Sequence, residues 1–266
     1  MNPDVHKWFH AIGIDITEIY GMTEDTGPCT VGIPKNALKS FGEKLKSAGV
    51  SMPDVLNPIG KVGLPIAGTE VRVEEDGELW MKGNHVAQGY YKDGEQTAES
   101  FDEEGWLHTG DLAEIDESGF VKIIGRKKEI LITSAGKNIA PVEVEELIKP
   151  HVLIGQACVV GDGKKYLTAL VVLDSDGGAE KWAEANGLPY NLKQLSQEDK
   201  VLEAIQQQVN EANSKVAQVQ QIKKFVVLEN EWTDTSGELT PTLKLKRNVI
   251  NEKYFNEIES MYKEDE

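Results

Sequence analysis

The spacing of apolar and polar residues in the first third of the chain predicts short strands rather than helices. At residues 12–20, isoleucines alternate imperfectly with polar residues and glycine, which predicts a strand leading into the polar segment EIYGMTEDTG. In TEVRVEEDGELWMKG, residues 71–73 and 79–81 alternate in the same way around an acidic turn that ends in glycine. We therefore expect a small β subdomain between residues 62 and 92.

A second pair of strands follows in HTGDLAEIDESGFVKIIGRKKE. Residues 112–115 and 120–124 have strand-like alternation and are joined by four turn-forming residues, so they predict a β-hairpin. The segment Thr109-Gly110-Asp111 is expected to form a tight glycine turn just before this hairpin. Residues 32–58, by contrast, follow no clear period.

The pattern changes after Gly125 to one that mixes helices and strands. Pro141 followed by glutamates is typical of a helix start, because proline needs no hydrogen-bond partner there and acids favour the helix N-terminus. Further along the chain the pattern predicts two strands around residues 161–163, a helix at 197–218, a strand at 223–228 and a closing helix at 247–262. This mixture indicates an α+β domain.

Composition narrows the class of protein. The chain has 266 residues, 39% of them apolar, and a formal net charge of −17. Such a charge repels phosphate backbones, so a nucleic-acid partner is not expected. Cys29 and Cys158 are the only cysteines, and no apolar run has the length of a membrane span. We expect a cytoplasmic protein, with peripheral membrane contact left open.

Three segments contain side chains suited to a nucleoside triphosphate. In the first, Tyr20 offers an aromatic face, Gly21 allows close backbone approach, Thr23 offers a hydroxyl and Glu24 a hard oxygen ligand for magnesium. An ordinary polar turn would have the same composition.

The second segment is Thr109-Gly110-Asp111, because a carboxylate there can accept hydrogen bonds from two vicinal ribose hydroxyls. Arg126, at the far end of the hairpin, can pair with phosphate or ribose. A capped turn and a solvated basic face at residues 126–128 explain the same residues.

The third segment is LTPTLKLKRNVI, which contains Lys244, Lys246 and Arg247. A lysine here can offset charge that develops on phosphate or carboxylate oxygens during group transfer. An exposed basic strip is the competing interpretation.

Five blocks together resemble the acyl-adenylate-forming superfamily of acyl-CoA synthetases, luciferases and peptide-synthetase adenylation domains. They occur in that family's order and span nearly the whole chain. TPTLKLKR and KKEILITSAGKNIAP look most like long-chain fatty-acyl-CoA synthetases of the bubblegum type. The blocks are YGMTE at 20–24, GELWMKGNHVAQGYYKD at 77–93, GWLHTGD at 105–111, GFVKIIGRKKEILITSAGKNIAPVEVE at 119–145 and TPTLKLKR at 240–247.

The resemblance implies a function and a set of site residues. It implies ATP-dependent activation of a fatty acid to an acyl-adenylate, which then forms a thioester with coenzyme A. Tyr20 would stack on adenine, Thr23 would contact phosphate and Glu24 would bind Mg²⁺. Asp111 would hold the ribose hydroxyls, with Arg126 on ribose or phosphate.

The resemblance also implies two domains. Residues 1–126 would be the C-terminal part of the large AMP-binding domain, and residues 127–266 a small mobile lid domain. Lys128 would be the hinge between two arrangements, one for each half-reaction. Lys244 would bridge the fatty carboxylate and the α-phosphate in the first arrangement. In the second, the loop with Gly136 and Lys137 would line the tunnel for the pantetheine arm.

Members of this family normally carry a Ser/Thr/Gly-rich phosphate loop upstream of the YGMTE block. Met1 stands nineteen residues before Tyr20, so we expect the chain to be the C-terminal portion of a synthetase that needs the missing N-terminal half as its partner. Two alternatives stay open: a ligase for other carboxylic acids, and a non-catalytic remnant that binds a nucleotide or a protein.

Overall fold

A computed structural model describes residues 3–34 and 58–263 of the chain. They belong to two compact units, Met1–Lys128 and Glu129–Glu266. Both units contain helices and strands, which confirms the predicted α+β class. Most of the segment 32–58, predicted to be irregular, lies outside the described residues. None of the helices in the described part of the chain has the length and apolarity needed to cross a bilayer.

The first unit begins with helix α1, Pro3–Ala11, and a three-stranded antiparallel sheet. The sheet consists of β1 (Ile19–Met22), β2 (Gly27–Val31) and β3 (Leu64–Pro65).

The strand predicted at residues 12–20 is wrong, because regular pairing starts only at Ile19. Gly13 has a φ of 85°, which turns the chain after α1, and Ile12 and Ile14 are exposed rather than buried on one face of a sheet. A side chain holds this segment instead, since the buried His6 Nε2 lies 2.9 Å from the carbonyl oxygen of Ile16.

A four-stranded antiparallel sheet follows in the first unit, in the order β4-β5-β6-β7. Val71 pairs with Met81 and Ile115 with Val121, so the predicted subdomain strands and the predicted hairpin are confirmed. Helix α2, Gly94–Ser100, was not predicted. The strands are β4 (Thr69–Val73), β5 (Glu78–Gly83), β6 (Leu107–Ile115) and β7 (Val121–Arg126).

The second unit contains a small hairpin, a three-stranded sheet and six helices among its described residues. The predicted helix start at Pro141, both strands around 161–163, and the helix and strand that follow are confirmed. The predicted closing helix at 247–262 is interrupted at Tyr254, which has a φ of −108° and a ψ of 27°. The elements are β8 (Leu131–Ile132), β9 (Asn138–Ile139), α3 (Pro141–Ile148), β10 (Ile154–Val160), β11 (Leu167–Leu173), α4 (Gly178–Ala185), α5 (Leu192–Leu195), α6 (Asp199–Ser214), β12 (Ile222–Leu228), α7 (Arg247–Lys253) and α8 (Phe255–Ser260).

Strand β11 is central to the second unit and is buried along its whole length. It pairs antiparallel with β10 and parallel with β12. Successive side chains of a strand point to opposite faces, so its residues divide between two cores. Ala169 and Val171 pack on the side of α3, α4 and α6, whereas Leu170 and Val172 pack on the side of α7 and α8. Coverage on both faces explains the continuous apolar run LTALVVL.

Candidate nucleotide-binding site

The segment EIYGMTEDTG forms a hairpin rather than a loop that leaves a strand. Tyr20 pairs with Thr30 across β1 and β2, and a 3-10 turn, Thr23–Asp25, closes the end. The buried Asp25 holds this turn, because its Oδ1 accepts hydrogen bonds from the amides of Met22 and Gly27, each at 3.1 Å. One internal carboxylate therefore fixes the two strand ends that flank the turn.

Gly21 allows two backbones to approach closely. The register of β1 and β2 shifts between Tyr20 and Gly21, and a Cβ on Gly21 would lie 2.1 Å from the carbonyl oxygen of Gly27. No side chain fits at that distance. The glycine is thus required by the hairpin itself, whether or not a ligand also approaches it.

The structure corrects the predicted turn at Thr109-Gly110-Asp111, which lies inside β6. Against β5, His108 stands opposite Trp80 and Leu112 opposite Glu78, so four steps along β6 match two along β5. Gly110 provides the extra length as a bulge, with a φ of 70° that glycine adopts readily.

Thr109 satisfies backbone groups that the bulge displaces from the ladder. Its hydroxyl donates to the carbonyl oxygen of Leu79 at 2.6 Å and accepts from the amide of Asp111 at 3.1 Å. Asp111 is thereby held at a fixed place in the strand.

Three of the predicted site residues meet at the carboxylate of Asp111. The Tyr20 hydroxyl donates to Oδ2 at 2.6 Å, and Nε of Arg126 lies 3.1 Å from Oδ1. Burial, followed by the neighbouring carboxylate, raises the pKa of Tyr20, so its proton stays in place as a donor. The Asp111 side chain is 9% exposed and that of Arg126 is 55% exposed. Each carboxylate oxygen can accept a further hydrogen bond from a ribose hydroxyl.

Glu24 and Thr23 lie on the turn that follows β1. The Tyr90 hydroxyl donates to Oε1 of Glu24 at 2.7 Å, and this hydrogen bond raises the pKa of Tyr90. The described residues contain no group of three or more His, Cys, Asp or Glu arranged to hold a metal ion. One carboxylate still fits Mg²⁺, because this ion keeps several waters and takes its remaining ligands from substrate phosphates.

The motifs in the sequence did not single out Tyr90 or Glu78. Tyr90 orients Glu24 through a hydrogen bond, and the Glu78 carboxylate accepts a hydrogen bond from the amide of Gly110. Both lie in the GELWMKGNHVAQGYYKD block, which was the available signal, but their partners are distant in sequence.

In the second unit, Lys244 lies on a tight loop, residues 240–244. An isolated bridge between Leu239 and Leu245 closes the loop, and Leu243 adopts a φ of 61°. The Thr240 hydroxyl accepts from the amide of Lys244 at 3.1 Å. Lys244 is exposed, and its ammonium group makes no ion pair with any residue that the structure describes.

Arg247 does not belong to an exposed basic strip. Its guanidinium donates to both carboxylate oxygens of Glu145, at 2.7 and 2.8 Å, and to Glu129 at 3.0 Å. Arg247 is 11% exposed and Glu145 is 2% exposed. The competing interpretation of KLKR as a solvated strip is therefore wrong for Arg247, while Lys246 is exposed.

Gly136 and Lys137 lie in the turn between β8 and β9. Gly136 has a φ of 72°, and the amide of Thr133 donates to the carbonyl oxygen of Lys137 at 3.0 Å. Lys137 is exposed. Lys128, the predicted hinge, is also exposed and is the last residue of the first unit.

Curated proteins similar to this chain include long-chain fatty acid–CoA ligases. The chain is 37% identical to "Long-chain-fatty-acid--CoA ligase FadD15" of Mycobacterium bovis, over 97% of this chain and 40% of the relative. It is 37% identical to "Long-chain-fatty-acid--CoA ligase ACSBG2" of Gallus gallus, over 96% of this chain and 34% of the relative. The chain thus spans 40% or less of the length of these two relatives.

Solved structures share the fold. O-succinylbenzoate coenzyme A synthetase from Bacillus subtilis, in complex with ATP and magnesium ion, matches with a TM-score of 0.62 and 23% identity, over 93% of this chain and 44% of that one. The A domain of carboxylic acid reductase from Segniliparus rugosus, in complex with AMP and a co-purified carboxylic acid, matches with a TM-score of 0.70 and 21% identity. The match covers 100% of this chain and 38% of that one.

Two family profiles match the chain. Residues 1–91 match the family described as AMP-binding enzyme. Residues 128–266, just over half of the chain, match the family described as AMP-binding enzyme C-terminal domain. The protein therefore belongs to the AMP-binding enzymes.

Proposed function

We propose that this chain forms part of an ATP-dependent long-chain fatty acid–CoA ligase. The observation that carries the proposal is the cluster of Tyr20, Asp111 and Arg126, in a chain whose similar curated proteins include ligases of that name. In the first half-reaction a fatty carboxylate oxygen attacks the α-phosphate of ATP and pyrophosphate leaves. In the second, the coenzyme A thiol attacks the acyl carbon, loses its proton, and AMP leaves.

The first unit would bind the nucleotide. Asp111 would accept the two ribose hydroxyls, Arg126 would contact ribose or phosphate, and Tyr20 would pack against adenine while its hydroxyl holds Asp111. Thr23 and the backbone at Gly21 would contact phosphate oxygens. Glu24 would hold Mg²⁺, which supplies charge compensation on the phosphates.

The second unit would serve each half-reaction with a different segment. Lys244 would offset the negative charge that gathers between the carboxylate and the α-phosphate. Rotation of the backbone at Lys128 would then move Lys244 away from the reacting groups. The turn with Gly136 and Lys137 would contact the pantetheine arm of coenzyme A. The alternation is needed because a thiol requires a clear approach to the acyl carbon.

A second candidate is a non-catalytic protein-binding role. The observation that favours it is a group of exposed apolar side chains in the first unit, since exposed apolar groups often mark interaction surfaces. They are Val5, Trp8, Ile12, Ile14 and Ile19. A chain of this kind would bind a partner without turning over ATP.

The test is pyrophosphate release with a panel of carboxylic acids. It is run on this chain alone and on a chimera in which the chain replaces the matching part of the M. bovis relative. The ligase proposal expects release by the chimera that requires ATP, Mg²⁺ and a long-chain fatty acid. If the chimera folds and binds fatty acid but releases no pyrophosphate, the ligase proposal fails and the non-catalytic role remains. Pyrophosphate release with shorter or aromatic acids alone would overturn the long-chain assignment.

Asp111→Asn in the chimera is expected to weaken ATP binding about 10- to 100-fold, because hydrogen bonds to a charged acceptor are the stronger ones. The apparent dissociation constant for ATP is the measurement. Glu114→Gln is the matched control, since Glu114 lies on the same strand with a side chain that is 66% exposed. An equal loss in both variants would contradict the ribose role.

Gly136→Ala in the chimera is expected to slow thioester formation about 10-fold while sparing adenylation, because an L-residue at a φ of 72° costs about 1–2 kcal/mol and distorts the turn. Gly187→Ala is the matched control. Gly187 has a φ of 69°, also with open space at its Cβ, but lies after α4. Equal slowing of both half-reactions, or the same effect from Gly187→Ala, would contradict the pantetheine role.

A further inference from the structure

Glu78 is a buried carboxylate whose two oxygens serve different elements of the first unit. Its Oε1 accepts a hydrogen bond from the amide of Gly110 at 2.8 Å, and its Oε2 accepts one from the ammonium group of Lys127 at 2.8 Å. The side chain is 9% exposed. Neither partner is near Glu78 in sequence, so only the fold brings the three residues together.

The ionised form of Glu78 is favoured despite its burial. Burial alone would raise the pKa of this carboxyl, but the hydrogen bonds from Lys127 and Gly110 outweigh that effect and hold the pKa below its ordinary value. Lys127 also donates to Asp76 at 2.6 Å. Lys127 is 45% exposed and Asp76 is 52% exposed, so Glu78 is the inner member of this charged group.

The two hydrogen bonds of Glu78 fall on either side of the Asp111–Arg126 pair. Gly110 directly precedes Asp111 and occupies the bulge in β6, where its amide bonds to a carboxylate rather than to the ladder. Lys127 directly follows Arg126, at the end of β7. A closed ring results, from Glu78 through Gly110, Asp111, Arg126 and Lys127 back to Glu78.

We infer that Glu78 is a positioning residue for the ribose site: it holds the backbone amide before Asp111 and the side chain of Lys127, the residue after Arg126, and so helps to set the distance between Asp111 and Arg126. This inference rests on the proposed function, because it assigns Asp111 and Arg126 to ribose. The same contact ties Lys127 to the first unit, which leaves Lys128 as the first residue whose rotation does not break the ring.

The experiment compares AMP with 2′-deoxy-AMP as probes for the full chain, by ligand-observed NMR titration. The wild-type chain is expected to prefer AMP because of its second ribose hydroxyl. Glu78→Gln keeps the shape of the side chain, but its amide group can satisfy only one of the two donors. The preference for AMP is expected to fall about tenfold, since small displacements of a positioned group cost about that much or more.

Two further variants make the result specific. Lys127→Met removes one of the two bonds at a half-exposed site and is expected to lower the preference in the same direction by a smaller factor. Asp76→Asn is the matched control, because the Asp76 side chain contacts Lys127 and the backbone amide of Glu78 but neither the Glu78 carboxylate nor Gly110. Asparagine can still accept from that amide, so the preference is expected to stay at the wild-type value.

The outcomes separate the two claims. Wild-type preference in both Glu78→Gln and Lys127→Met overturns the positioning role alone. An equal loss of affinity for both nucleotides, with a lowered unfolding temperature, overturns it too, because a merely structural carboxylate would behave in that way. If the unchanged chain binds both nucleotides without preference, the ribose assignment in the proposed function fails with it.

Discussion

Replacing Lys244 with alanine is expected to lower the rate of acyl-adenylate formation about 10²- to 10³-fold, the loss typical of removing one charge-stabilising donor. Thioester formation from supplied acyl-adenylate is expected to be unchanged, because the lysine is proposed to act only in the first half-reaction. The measurement is single-turnover formation of each product by the chimera with the M. bovis relative.

The loop that presents Lys244 makes this prediction specific. Leu239 and Leu245 close the loop, and the Thr240 hydroxyl accepts the amide of Lys244, so alanine there leaves the backbone contacts intact. Lys246→Ala is the matched control, since Lys246 is exposed two residues away and its amide donates to the carbonyl oxygen of Glu238 at 2.7 Å. If Lys246→Ala rather than Lys244→Ala stops adenylation, the role proposed for Lys244 belongs to Lys246. If Lys244→Ala slows both half-reactions equally, the account with two arrangements is contradicted.

Arg247→Met is expected to lower the free energy of unfolding by about 3–5 kcal/mol, the range for removing one partner of a buried ion pair. Glu145 is 2% exposed, and without Arg247 its charge would be left uncompensated beside Glu129. Burial alone would lower the pKa of Arg247, but its bonds to Glu145 raise it overall, so the guanidinium stays charged. Urea unfolding of the full chain is the measurement.

The control for Arg247→Met is Lys193→Met. Lys193 pairs with Glu229 at 2.7 Å, but its side chain is 70% exposed, and surface pairs contribute about 1 kcal/mol or less. Adding Glu145→Gln to Arg247→Met is expected to restore part of the loss, because the second change removes the unpaired charge. If Arg247→Met matches Lys193→Met, the buried pair does not stabilise the fold as inferred.

The sequence predicted the elements whose pattern is local. Strand alternation in TEVRVEEDGELWMKG, the four-residue turn at 116–119 and the proline at 141 each depend on neighbours in the chain, and each predicted element is present. Prediction failed at residues 12–20, where isoleucines alternate without being buried on one face. Alternation indicates a strand only if a sheet covers the apolar side.

The candidate site also has a part that the sequence predicted and a part that it did not. Residue types and motif order selected Tyr20, Asp111 and Arg126 as neighbours of one nucleotide, and their contacts join them, although the ligand roles stay predictions. The sequence misplaced Asp111 on a turn, because a bulge inside a strand depends on the register of the facing strand. It also left Glu78 without a role, since neither partner of its carboxylate is near it in the chain.

By itself, the sequence determined the chemical groups, their order and the local elements, because those follow from residue type and short-range spacing. Only the tertiary structure decided which charges are buried and which pairs they form. Glu78 with Gly110 and Lys127, and Arg247 with Glu145, are separated by 32 to 102 residues. Burial gives these contacts their strength, and burial exists only once distant segments have packed.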